Sequence, residues 1–215
     1  MQQNFRRRRF LHLLAACYAV VWIITAIRPI DFGDWLIENL LVFAAVPVLI
    51  LTYRRLPLSN ASYLLLAIFL TLHAVGAHYT YAKVPLGDWM KEAFAWDRNH
   101  FDRLVHCLFG LLLLVPVREV LIRTVRARGF WSYALSFTVI VSASGFFEIV
   151  EAIVAQIVSP ELGTAYLGTQ GDEWDAQKDM AVAMAGAAFA SVLLAAIAAI
   201  RERKIPDDEI RRSPR

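Results

Sequence analysis

Cysteine is scarce in this sequence. Cys17 and Cys107 are the two it has, and each falls inside an apolar block. A disulfide framework of the kind that staples small secreted domains is therefore excluded. The expected role of each thiol is that of a small hydrophobe. Tight metalloenzyme spacings such as H-E-x-x-H are also missing. No internal repeat and no low-complexity tract occurs, and no polar stretch is long enough to make a separate soluble domain. A leader peptide is not expected either. Arg6–Arg9 lead into an apolar run of 18 residues, Phe10–Ile27, and Arg28-Pro29 follows where small cleavage-site residues would stand. Signal-peptide apolar regions run to about 7–15 residues, so this run reads as a retained first helix.

What is present is apolar and blocked. Hydrophobic residues make up 58% of the 215, and they come in long runs rather than in the scattered pattern of amphipathic soluble helices. Six runs clear the roughly 17 residues a helix needs to cross hydrocarbon: residues 10–27, 35–53, 59–79, 102–121, 131–158 and 175–200. Spanning strands would have to close a barrel, which so few segments cannot do. The expectation is an all-α polytopic transmembrane bundle of six helices. A basic cytoplasmic N-terminus (1–9) precedes the transmembrane domain (10–200), and a charged, disordered cytoplasmic tail (201–215) follows it. The longer connections, 80–101 and 159–174, read as polar loops.

Charge sets the expected orientation. Sixteen of the 22 lysines and arginines fall in the N-terminus, the second connection, the fourth connection with Arg118 at the end of the span before it, and the tail. By the positive-inside rule these segments are cytoplasmic, giving an N-in/C-in protein of a bacterial inner membrane. The basic runs then contact the bilayer, with anionic lipid headgroups as second partners. Nucleic acid is rejected as a partner, because the basic residues sit at membrane boundaries on one side. Trp35, Trp131, Trp174, Tyr53 and Tyr79 fall near boundaries, as interfacial anchors do. Small residues cluster at Ser142–Gly145 and along Ala181–Ala190. This composition lets helix backbones approach closely in lipid, and it predicts that the fifth and sixth spans pack against each other at the bundle centre.

Ionisable residues intrude at one depth. Asp102 and His106 are four apart at the outer end of the fourth span and share a face. Glu148 and Glu151 are three apart in the fifth span, and Glu148 lies about 26 Å above the inner boundary near Trp131. His73 and His78 lie in the outer half of the third span. Asp172, Asp175 and Asp179 open the sixth, with Asp172 as a candidate N-cap. Arg98, Arg103 and Lys178 lie nearby.

Three readings fit this layer. It is a metal or catalytic site, in which His106, Asp102 and Asp179 hold a divalent ion and Glu148, His106 and Asp179 do the chemistry. Alternatively, it is a pocket in which Asp102, Arg103, Glu151, Asp172, Asp175, His73 and His78 bind or pass a small polar ligand, ion or lipid headgroup, arginine holding any phosphate. In the third reading it is a set of ion pairs that pins helices together. Glu148 has no cation three or four residues away on its own helix, so its partner must come from elsewhere. The segment G-T-A-Y-L-G-T-Q-G-D-E-W-D-A-Q-K-D from Gly163 reads either as a capped turn or as a lid over the layer.

The segments W-D-R-N-H-F-D-R-L-V-H-C-L-F-G-L-L (96–112), F-F-E-I-V-E (146–151) and Y-L-G-T-Q-G-D-E-W-D-A-Q-K-D-M (166–180) resemble the YjdF-like bacterial inner-membrane proteins. The resemblance covers most of the chain and implies a compact multi-span protein without an established activity. The order D-[KR]-x-x-H, a glutamate helix, then an aspartate opening a small-residue helix is more loosely similar to VanZ-like proteins. Some of these are linked to glycopeptide-antibiotic resistance. Asp102, Arg103, His106, Glu148 or Glu151, and Asp175 or Asp179 match that order. This second resemblance implies an envelope-facing lipid or cell-wall substrate.

Overall fold

The computed structural model describes the backbone of residues 2–203 and the side chains of residues 7–201. The tail expected to be disordered lies almost wholly outside the described residues. Eight helices follow in order: α1 (Gln2–Ala26), α2 (Phe32–Thr52), α3 (Asn60–His78), α4 (Pro85–Ala93), α5 (Phe101–Thr124), α6 (Gly129–Ile157), α7 (Pro160–Leu167) and α8 (Asp175–Arg203). Six of them, all but α4 and α7, are long and apolar enough to cross a membrane.

Local chemistry sets several helix starts. Asp31 accepts the Asp34 N–H at 3.0 Å to open α2, and Ser59 accepts the Ser62 N–H at 3.2 Å to open α3. Ser159 does the same for Leu162 at 3.3 Å, and Pro160 fills the first helical position of α7. Gly168 ends α7 in the left-handed region at φ 58°, where glycine carries no Cβ penalty. The two longer connections read as polar loops each hold a short helix, α4 and α7.

α5 occupies the centre. It packs on α3, α6 and, most extensively, α8, while α1 and α2 lie against α3. The expected packing of the fifth and sixth spans, α6 and α8, is present, but the main partner of α8 is α5. The reason is one residue deep. A Cβ on Gly110 would collide with the Ala183 carbonyl, and one on Gly186 would collide with the Cys107 carbonyl. Backbones touch there, with Ala183, Ala187 and Ala190 buried along the same face of α8. Gly145 of α6 makes only an ordinary contact, its Cβ position lying 3.5 Å from Met180 Sδ. One correction concerns Trp35. It is buried, tilted against Trp22 (5.7 Å) and stacked on Phe32 (5.7 Å), whereas Trp131 and Trp174 are exposed as anchors are.

The two ends of the bundle differ. At one end Arg7 donates to the Leu58 carbonyl at 2.7 Å and Arg123 to that of Pro57. Glu119 accepts from Ser59 N–H and Ser62 O–H at 2.8 and 2.5 Å. The opposite end carries the polar layer.

Candidate functional site

The layer divides into a clamp and a pocket. The clamp joins the loop before α5 to the loop before α8. Buried Arg98 donates to Asp175 at 2.5 Å and to the carbonyls of Thr169 (2.9 Å) and Gly168 (3.2 Å). Arg103 donates to Asp172 and, at 3.0 Å, to Asp175. Lys178 reaches Asp172 at 2.6 Å, and the Trp174 N–H reaches it at 3.1 Å. The Lys178 ammonium, the Trp174 N–H and the Arg103 guanidinium hold the Asp172 carboxyl well below the usual carboxylate range. Gln170 and Asn99 exchange two hydrogen bonds at 3.0 and 2.9 Å. Burial, then the Arg103 and Arg98 charges, lower the basicity of His100. Its Nδ1 therefore accepts from Arg103 at 3.3 Å. Arg98, Arg103 and Lys178, weighed from sequence as phosphate ligands, are thus engaged with carboxylates and carbonyls. Asp172, expected as the N-cap of the sixth span, instead lies three residues before α8 and accepts the Trp174 N–H in a local turn.

Below the clamp, α5, α6 and α8 bring together Asp102, His106, Glu148 and Asp179. One ligand atom each from Asp102, His106 and Asp179 lies within 4.8 Å of the others. Two bonds of about 2.1 Å to one ion set donors some 3–4 Å apart, so a small side-chain adjustment closes the set. His106 Nε2 stands 3.6 Å from Asp102 Oδ1 and 3.6 Å from Glu148 Oε1. These separations are too long for hydrogen bonds. Asp179, 2% exposed, and Glu148, 9% exposed, each carry a buried oxygen with no hydrogen-bond partner. Arg103 Nε, at 3.9 Å from Asp179, is likewise unpartnered. One imidazole and hard carboxylate oxygens, partly orphaned and poised just beyond contact, fit a divalent cation. The backbone contact at Gly110 and Ala183 lies one turn from His106 and Asp179, and it sets how close these two can come.

A cavity of about 360 Å³ adjoins this group. Asp102, His106 and Glu151 line it from α5 and α6, Glu38 and His73 from α2 and α3, and Tyr166 and Gly168 from α7 and its cap. Glu38 and the neighbouring Asp34 were missed as site residues by the sequence pattern. Asp34 is 1% exposed and both its carboxylate oxygens lack partners. Their signal was the one read at Glu148 and Glu151, carboxylates one turn apart in an apolar helix.

The two histidines of α3 stand apart from the triad. His73 sits between the Glu38 carbonyl at 3.1 Å and the Tyr81 hydroxyl at 2.6 Å. Because a carbonyl only accepts, Nε2 carries the proton and Nδ1 accepts from Tyr81. Burial pushes the Tyr81 phenol up, which keeps that O–H in place. His78 Nδ1 donates to the Thr25 carbonyl at 2.8 Å, joining α3 to α1.

The family model described as "Predicted membrane protein (DUF2238)" matches residues 10–199. "Inner membrane protein YjdF" of Escherichia coli (strain K12) is 36% identical over 186 residues, covering 86% of this chain and 88% of the relative. No solved structure matches. With six spans and a match along nearly the whole of them, the chain belongs to this family of membrane proteins and is a multi-pass protein of the inner membrane.

Proposed function

We propose that the protein binds a divalent cation in an outward-opening site made by Asp102, His106 and Asp179. The observation that carries this reading is the orphaned, buried oxygen of Asp179 beside His106 and Asp102, where all three could ligate one ion. Asp172 and Asp175 are compensated by Arg98, Arg103 and Lys178. Among the described residues, Glu148 and Asp102 have His106 as their ion-pair neighbour and no lysine or arginine within 4 Å. A cation would offset this local excess of negative charge, which is otherwise costly inside a bilayer. The test is metal analysis of the purified protein, with manganese titration followed by paramagnetic resonance. Bound metal is expected in about stoichiometric amount. Asp179→Asn and His106→Ala should weaken it by at least roughly 100-fold, beyond the 10–100-fold typical of losing a supporting group. Metal that binds equally well to both variants would refute the site.

One observation favours a second reading, a metal-dependent enzyme acting on a lipid-linked envelope substrate. Glu148 Oε1 is buried, unpartnered and 3.6 Å from His106. A divalent ion at the triad would lower the pKa of a bound water. Glu148 would be placed to take that proton as a general base.

A further inference from the structure

Glu38 and Glu151 are not members of the metal triad, and neither is ion-paired with a lysine or arginine among the described residues. They line the cavity from different walls, Glu38 on α2 and Glu151 on α6. Glu38 is only 5% exposed, and the hydrogen bond it receives goes to its backbone carbonyl, not to its carboxylate. Among the described residues, no lysine or arginine lines the cavity. A phosphate or carboxylate headgroup entering it would meet acidic walls. An ammonium brings three donors and the missing charge.

The rest of the wall is apolar and open on one side. Leu40 and Phe146 line the cavity yet are 56% and 68% exposed. In membrane spans, such residues face acyl chains, so the cavity opens sideways between α2 and α6. α7 packs on both of these helices, and Tyr166 and Gly168 close the cavity from above. The bilayer, rather than the water above the loops, is thus the route of entry.

We propose that this cavity takes an amine-headed, single-chain amphipath from the bilayer through the gap between α2 and α6. The ammonium rests between Glu38 and Glu151, and the chain leaves along Leu40 and Phe146. About 360 Å³ holds roughly a dozen water-sized groups at about 30 Å³ each. The headgroup and the first carbons fit, and the remaining chain stays among the lipids. The two glutamates are not members of the metal triad, although Asp102 and His106 line the same cavity.

The test uses the full chain in phosphatidylcholine nanodiscs with three photoreactive probes of equal chain length: dodecylamine, dodecanol and dodecanoate. Labelled peptides are mapped by mass spectrometry. Dodecylamine should label the facing walls of α2 and α6 roughly tenfold more than dodecanoate does. The Glu38→Gln/Glu151→Gln variant should bring it down to the dodecanol level. Val150→Trp, which fills the cavity, should abolish labelling by all three. Chelation of divalent metal should not reduce dodecylamine labelling, which separates this proposal from the cation site; labelling lost on chelation overturns it. Equal labelling by amine and carboxylate, or wild-type labelling of the double glutamine variant, overturns it. Should the double variant not fold, the amine-to-carboxylate ratio on the wild-type chain decides alone.

Discussion

Asp172 ties three elements together with one carboxylate, through Lys178, the Trp174 N–H and Arg103. These partners favour its charged form, so its folded pKa lies below the unfolded value near 3.9. For a depressed carboxylate, the unfolded state binds the proton more readily as pH falls. The stabilisation is therefore complete above the unfolded pKa and is lost as pH falls through the folded one. Thermal unfolding in detergent should show a constant gap between wild type and Asp172→Asn from pH 8 to about pH 5, with the gap shrinking below about pH 4. A gap that persists unchanged at low pH would mean that the carboxylate charge is not what holds the loop. Much at this scale was legible beforehand: acidic and histidine residues in apolar helices stood out by type and spacing. Which of them were already satisfied was not legible. His73 and Arg98 are engaged by backbone carbonyls, from Glu38, Thr169 and Gly168, and such acceptors leave no trace in residue identity.

At the scale of elements, run length alone located the six spans to within a few residues, since hydrocarbon thickness imposes it. α4 and α7 escaped because eight or nine residues are too short for that signal. Their Pro85 and Pro160 starts were nevertheless in view. The pairing of α5 with α8 escaped for a different reason. Gly110 is a single small residue amid leucines, and it matters only because Ala183 and Ala187 lie opposite. This contact predicts an asymmetric response to adding one methyl group. Gly110→Ala must push α5 off the Ala183 backbone and should cost about 1–3 kcal/mol, as overpacked cores do. It should also weaken metal binding, since His106 and Asp179 sit one turn away. Gly145→Ala adds an ordinary contact at 3.5 Å from Met180 and should change little. Unfolding measurements in detergent on both variants compare them directly, and equal effects would remove the backbone contact as the determinant of site geometry.

Across the whole molecule, charge is sorted by end, and the pairs formed sharpen the sorting. On the polar-layer side, Arg98, Arg103 and Lys178 are paired with Asp172, Asp175 and Asp179. They therefore oppose the basic bias of the other end less than a bare count of residues suggests. At that other end, Arg126 and Arg128 are exposed in the turn between α5 and α6. The positive-inside rule predicts this turn in the cytoplasm and the site beneath the outer surface. Single-cysteine variants test the arrangement in a chain carrying Cys17→Ser and Cys107→Ala. Glu173→Cys lies exposed in the loop before α8, and Arg126→Cys lies exposed in the opposite turn. A membrane-impermeant maleimide added to intact spheroplasts should label Glu173→Cys and leave Arg126→Cys unmodified until the membrane is opened. The reverse pattern would turn the carboxylate–histidine site toward the cytoplasm. Any cation or amphipath it binds would then come from the inner leaflet side, and an envelope-facing role would be excluded.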